Sequence, residues 1–198
     1  KRQFAGKAEL ILVLARTDPD LKAGHRGLSL FLVEKPGTAA HEFAHTSPGG
    51  GEMSGRAIAT LGYRGMHSYE MFYDDFFVPD SHLLGGEEGL GKGFYYQMRG
   101  FSGGRIQTAA RATGLMEAAF EAALGYSEDR TVFGQSVSRY GLSKVKLARM
   151  AMALQSARML TLEVGRLLDA GEGQMEASLV KLYACRAAET VCREALQL

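Results

Sequence analysis

Gly93-Phe94-Tyr95-Tyr96-Gln97-Met98, then Gly104-Arg105-Ile106-Gln107-Thr108-Ala109-Ala110-Arg111-Ala112, then Leu115-Met116-Glu117-Ala118-Ala119-Phe120, closing on Arg130-Thr131-Val132-Phe133-Gly134: residues 93–134 decide how this chain is organised. From Arg105 to about Asp129 there is no proline, and Ala, Leu, Met, Glu and Arg dominate, all strong helix formers. Ala109, Ala112, Met116, Phe120 and Ala123 recur at steps of three and four. That spacing predicts one buried face on a helix of roughly 37 Å at about 1.5 Å per residue. The alanines let neighbouring helices approach closely.

Downstream, residues 143 to about 169 predict a second helix with Met150, Ala153, Ala157, Leu160, Val164 and Leu167 on one face. Ala148, Met152 and Met159 are apolar on an adjacent face, so this helix is expected to be covered on two sides, as in a bundle. Gly171-Glu172-Gly173 ends it. A third helix begins near Gln174, with Val180, Ala184, Ala187, Val191 and Ala195 in register and no stop signal before Leu198. Upstream, the pattern is that of strands. Leu10-Ile11-Leu12-Val13-Leu14-Ala15 is an uninterrupted apolar run, expected to be buried on both faces. Leu28-Ser29-Leu30-Phe31-Leu32-Val33 is a second strand after a turn at Gly24-His25-Arg26-Gly27. Residues 45–51 read as a loop, 56–61 as a short strand and Tyr69-Glu70-Met71-Phe72-Tyr73 as another strand. The expectation is an α+β chain, with a β-domain over 1–82, a glycine-rich linker over 83–93 and a helical bundle over 94–198. Both ends read as cuts through a longer polypeptide.

The formal net charge is +1, which leaves no electrostatic footprint for nucleic acid. Nowhere do about 18 apolar residues follow one another, so no membrane span is expected. Cys185 and Cys192 share a helix face about 10 Å apart, too far for a disulfide. Two buried thiols fit a reducing compartment, the cytoplasm or, in a eukaryote, the mitochondrial matrix.

Three motifs carry possible chemistry. His41-Glu42-Phe43-Ala44-His45 matches the zinc-peptidase pattern letter for letter, but Pro36-Gly37 and Pro48-Gly49-Gly50-Gly51 leave it barely two turns of helix. A third ligand would have to be His67, His82 or a carboxylate, none in a recognisable frame, so no metal is expected. Gly86-Glu87-Glu88-Gly89-Leu90-Gly91-Lys92-Gly93 nearly matches a phosphate-binding loop. It lacks the magnesium-holding hydroxyl and carries two carboxylates where phosphate would lie. His25 and His67, beside turn glycines, read as surface residues. Arg130-Thr131-Val132-Phe133-Gly134 is better evidence. A guanidinium at a helix end, an aromatic ring and a tight turn together suit a ligand with phosphates and a ring. They equally suit a helix terminus whose Arg satisfies the dipole while Phe plugs the bundle.

Several segments together resemble the acyl-CoA dehydrogenase family. They are Leu61-Gly62-Tyr63-Arg64-Gly65, Tyr69-Glu70-Met71, Asp75-Phe76, Val78-Pro79, Gly91-Lys92-Gly93-Phe94, Arg105 with Ala109-Ala110 and Gly114, and Tyr126 followed by Arg130-x-x-Phe133-Gly134. Arg105 to Ala112, with Gly62-Tyr63-Arg64-Gly65-Met66, resembles the methylsuccinyl-CoA dehydrogenase branch. The resemblance implies part of a β-barrel or sandwich middle domain followed by an antiparallel, incomplete helical bundle. It also implies FAD-dependent α,β-dehydrogenation of an acyl-CoA thioester, electron-transfer flavoprotein as partner, and assembly as a homotetramer or homodimer. Arg130 and Phe133 would then hold FAD of a neighbouring subunit, while Met98, Phe101 and Arg105 would line the acyl channel. An acyl-CoA oxidase of the same fold and a non-catalytic member without flavin are the alternatives. Where some members carry a catalytic glutamate this chain has Gly104, so its base is expected beyond Leu198. The family's Trp-x-Thr before the first strand is missing, and Gly141 stands where a glutamine is usual.

Overall fold

The computed structural model describes residues 2–62 and 67–198, without the side chains of Arg2 and Gln3. Tyr63, Arg64, Gly65 and Met66, which carry part of the motif begun by Leu61-Gly62, lie outside the described residues. The chain divides into two compact units, Lys1–Gln97 and Met98–Leu198.

In the first unit the strands are β1 (Arg2–Gln3), β2 (Leu10–Arg16), β3 (Leu28–Glu34), β4 (Glu42–Thr46), β5 (Glu52–Ile58) and β6 (Ser68–Asp74). β2 and β3 form an antiparallel ribbon, and the others form a four-stranded sheet in the order β1-β6-β5-β4, antiparallel throughout. Ala5, Ile11, Val33, Met53 and Tyr69 make the core, with Phe31, Phe43, Met71 and Phe76 against it. The apolar run at 10–15 is not buried on both faces. Ile11 is buried while Leu10 and Leu12 are exposed, because a two-stranded ribbon turns one side to the core and the other away. The strand expected at 56–61 occupies Glu52–Ile58, and β4 takes in His45 and Thr46, which the sequence assigned to a loop. Pro48-Gly49-Gly50-Gly51 compress the turn so far that pairing begins at Thr46↔Glu52. Gly51 has φ of 74° and sits where a Cβ would lie 2.0 Å from the Asp75 carbonyl oxygen, so only glycine fits there.

The segment read as a linker is docked on β3. The Leu84 N–H donates to the Leu30 carbonyl at 2.9 Å, and the Gly91 N–H donates to the buried Ser29 hydroxyl at 2.9 Å. A Cβ on Gly93 would lie 2.4 Å from the Ser29 carbonyl carbon. The glycines here serve close approach of two backbones rather than freedom.

Helix α1 runs Gly93–Asp129, about 56 Å long. The helix expected from Arg105 begins at Gly93. Gly100, Gly103 and Gly104 do not interrupt it, because glycine weakens a helix by only about 0.5–1 kcal/mol each, whereas a break takes proline. The Thr108 hydroxyl also donates back to the Gly104 carbonyl at 2.8 Å. A short hairpin follows, β7 (Thr131–Val132) and β8 (Gln135–Ser136), then α2 (Gly141–Asp169) and α3 (Gln174–Ala195).

Ala109, Ala112, Met116 and Ala123 of α1 pack with Met150, Leu154, Ala157 and Val164 of α2 and Ala177, Val180, Ala184, Ala188 and Val191 of α3. The predicted α1 stripe is therefore the buried one, with Phe120 packed at its edge. Among the described residues nothing covers the second apolar face of α2. Met152 is 67% and Met159 70% exposed, and Leu160 also faces outward. Three helices enclose a single core, which occupies only one face of α2. α3 is assigned to Ala195, and the Leu196 N–H still makes the helical bond to the Cys192 carbonyl. Cys185 and Cys192 are free and half-buried rather than buried. Among the described residues no helix is long and apolar enough to cross a membrane.

Candidate functional site

The end of α1 sets the geometry of the hairpin. The Arg130 N–H still bonds to the Tyr126 carbonyl at 2.9 Å, and the Arg130 carbonyl accepts from the Val137 N–H at 2.8 Å. Thr131 pairs with Ser136 and Val132 with Gln135, leaving Phe133-Gly134 as a two-residue turn. Both turn residues have positive φ, 50° and 81°. That is the requirement of the type I′ hairpin, whose twist matches its strands and whose usual occupants are Asn-Gly. A phenylalanine in the left-handed region costs about 1–2 kcal/mol. Among the described residues nothing repays this by burial, since Phe133 is 96% exposed. Backbone strain of this kind concentrates at functional sites. Arg130 is exposed as well, with no ion pair among the described residues. The reading in which Phe133 plugs its own bundle is therefore wrong: the turn points the ring away.

Met98, Phe101 and Arg105 lie at i, i+3 and i+7 of α1, one stripe of a continuous helix. Met98 and Arg105 are half-buried and Phe101 is exposed. Gly104 has open space where a Cβ would be, and α1 carries no Asp or Glu before Glu117. Arg105 and Arg130 stand roughly 37 Å apart along the helix at about 1.5 Å per residue. One chain cannot bring both to the same reacting atoms.

Other candidates resolve differently. Glu42 to His45 is β4, not helix, so alternation sends Glu42 to the face opposite His41, where it pairs with Arg56 at 3.2 Å. His41 and His45 are then about 13 Å apart at ~3.3 Å per residue, which excludes the zinc-peptidase geometry. The phosphate-loop likeness fails because β3 occupies the space in front of Gly93. His25 is exposed and its Nε2 lies 3.0 Å from the Tyr95 hydroxyl, with Phe94 at 5.1 Å between ring centroids. His67 is half-buried rather than at the surface, edge-on to His41 at 4.7 Å. Lys35 gave no sequence signal, since lysine reads as surface. It is buried, its Nζ donating to the carbonyls of Gly6 at 2.7 Å and Pro36 at 2.8 Å and lying 4.6 Å over the Phe43 ring. Burial pushes its pKa below the ordinary lysine value, with the Glu9 carboxylate partly opposing.

Residues 91–198 match the model of the acyl-CoA dehydrogenase C-terminal domain. Over 196 residues the chain is 41% identical to (2S)-methylsuccinyl-CoA dehydrogenase of Cereibacter sphaeroides, covering 98% of this chain and 34% of that protein. It is 33% identical to the human mitochondrial short-chain specific acyl-CoA dehydrogenase, covering 98% and 43%. The three-dimensional structure of butyryl-CoA dehydrogenase from Megasphaera elsdenii superposes with a TM-score of 0.82 at 30% identity, covering 98% of this chain and 47% of that one. The chain thus spans between a third and a half of the length of these relatives.

Proposed function

The chain belongs to the acyl-CoA dehydrogenase family, and from that footing we propose that it serves a flavin-dependent enzyme that oxidises the α,β carbon–carbon bond of an acyl-CoA thioester. The observation that carries the reading is Phe133, held at a positive φ and exposed three residues after an exposed Arg130 that has no ion pair among the described residues. A guanidinium fork with a flat ring next to it fits a dinucleotide: the fork matches pyrophosphate oxygens and the ring offers a stacking face. FAD bound there supplies the hydride acceptor. Because the hairpin and the Met98–Phe101–Arg105 stripe lie at opposite ends of this part of α1, the hairpin serves the reaction centre of a second copy, and the protein works as a homotetramer or homodimer. Met98 and Phe101 wall the acyl chain from water, and Arg105 places a positive field beside the reacting carbons. With Gly104 beside Arg105, the base that takes the α-proton comes from elsewhere in the protein. The substrate is a short branched dicarboxylic acyl-CoA of the methylsuccinyl kind, in line with the 41% identical relative, and electron-transfer flavoprotein takes the electrons.

The test uses the full-length protein that contains this chain. It is expected to carry flavin absorbance and to bleach anaerobically with methylsuccinyl-CoA faster than with butyryl-CoA. An Arg130→Gln/Phe133→Ala double variant is expected to keep its fold and lose flavin. A wild-type protein that cannot be loaded with flavin, or a double variant that retains it fully, overturns the proposal.

A further inference from the structure

Two imidazoles far apart in sequence meet at one end of the four-stranded sheet. His41 precedes β4 and His67 precedes β6, on either side of β5. The Ala57 N–H donates to the His41 carbonyl at 2.7 Å, and Ala57 is the cross-strand partner of Tyr69. His67, two residues before Tyr69, shares its face by alternation. Ala57, the short side chain on the intervening strand, leaves the two rings free to meet edge-on at a centroid separation of 4.7 Å and 66°. Both line a cleft of about 330 Å³ with Ala57, Ile58, Ala59 and Thr60. Neither ring has a side-chain hydrogen bond or ion pair among the described residues.

We propose that His41 and His67 form a two-imidazole site for a divalent transition metal of the nickel or copper kind. Neutral imidazole suits these metals, which follow ligand type and geometry more than charge. A metal about 2.1 Å from a ring nitrogen lies about 3.2 Å from that ring's centroid. Two rings bound at a right angle then have centroids about 4.6 Å apart, and at the tetrahedral angle about 5.3 Å. The observed separation matches the right-angle case, as in adjacent positions of a square-planar or octahedral ion. With both lone pairs turned to one ion, waters would complete its shell. Glu42, the nearest carboxylate in sequence, is on the opposite face with Arg56, so the ligands offered among the described residues are imidazole nitrogens. That disfavours calcium and magnesium, which want oxygen ligands. The bound ion clips the entry of β4 to the entry of β6 across β5.

Titrating tag-free, full-length protein with NiCl₂ by calorimetry and with CuCl₂ by electron paramagnetic resonance tests this. One equivalent is expected to bind, with two nitrogen donors in the copper spectrum. His41→Ala and His67→Ala are each expected to leave one of those donors and weaken binding by about 100-fold, since the second ligand no longer acts at high effective concentration. His25→Ala and His45→Ala are expected to change nothing, and His67→Gln, which keeps side-chain bulk, guards against a folding artefact. If the His41→Ala/His67→Ala double variant keeps the wild-type affinity and two-nitrogen spectrum, or if the wild type binds no equivalent at all, the site does not exist.

Discussion

The Tyr140 phenol donates a hydrogen bond to the Val132 carbonyl at 2.6 Å, tying the first strand of the hairpin to the residue from which α2 departs. The hairpin is only two residue pairs long, so this bond and the Val137–Arg130 bond are what keep its tip in place. Replacing Tyr140 by Phe removes one bond and leaves the half-buried carbonyl without that donor, a loss of about 1 kcal/mol. Chemical unfolding measures that loss. Flavin titration of the full-length protein is expected to show several-fold weaker binding at unchanged helix content.

Phe133 separates stability from function. Phe133→Asn puts at the first turn position a residue that tolerates positive φ, relieving about 1 kcal/mol of strain. The variant is expected to melt higher than wild type and yet to hold flavin less tightly, because the ring is gone. A variant that is both less stable and unaltered in flavin content would contradict both halves.

Two glycines of α1 are expected to behave in opposite ways. Gly104 lies in the helix interior with open space at its Cβ position, so Gly104→Ala stabilises by about 0.5–1 kcal/mol. Gly93 meets β3, with a Cβ placed 2.4 Å from backbone that cannot yield, so Gly93→Ala destabilises by about 1–3 kcal/mol. Urea midpoints of the two variants settle the contrast.

Lys35 gives an alkaline linkage of defined sign. Its folded-state pKa lies below the unfolded value of 10.5, so at neutral pH burying the charged amine opposes folding in full. As pH rises from the folded pKa towards 10.5, the native state releases the proton first, the unfolded chain holds more protons, and stability increases. Measured from neutral pH up to 10.5, the stability of wild type minus that of Lys35→Met is expected to climb. A difference that stays flat or falls would mean that Lys35 is not desolvated.

The helical half was legible because its core uses small residues at strict helical spacing: Ala109, Met116, Ala157, Ala184 and Val191 could be placed from period alone. The start of α1 at Gly93 was less legible than its core, because Gly100, Gly103 and Gly104 lower helix propensity locally while the helix runs on through them. The outward faces of α2 were misread for a different reason. Apolar character says that a surface can be buried, not that something within the chain buries it. In the β-rich half, strand existence was readable but register was not. The His41–His67 contact and the burial of Lys35 both follow from long-range pairing that no local pattern encodes. Of the candidate site, Arg130 and Phe133 stood out from residue types and spacing. The left-handed backbone at Phe133 did not, because phenylalanine is among the residues least expected there.

Holding Arg105 and Arg130 on a single rigid rod has a genetic corollary. Under the proposed division of labour, each reaction centre takes its rod's near end from one copy and the hairpin from another. A chain crippled at Arg105 and a chain crippled at Arg130 each retain what the other lacks. Mixed in one assembly they give some centres bearing both lesions and some bearing neither, so two null alleles expressed together recover activity that neither shows alone.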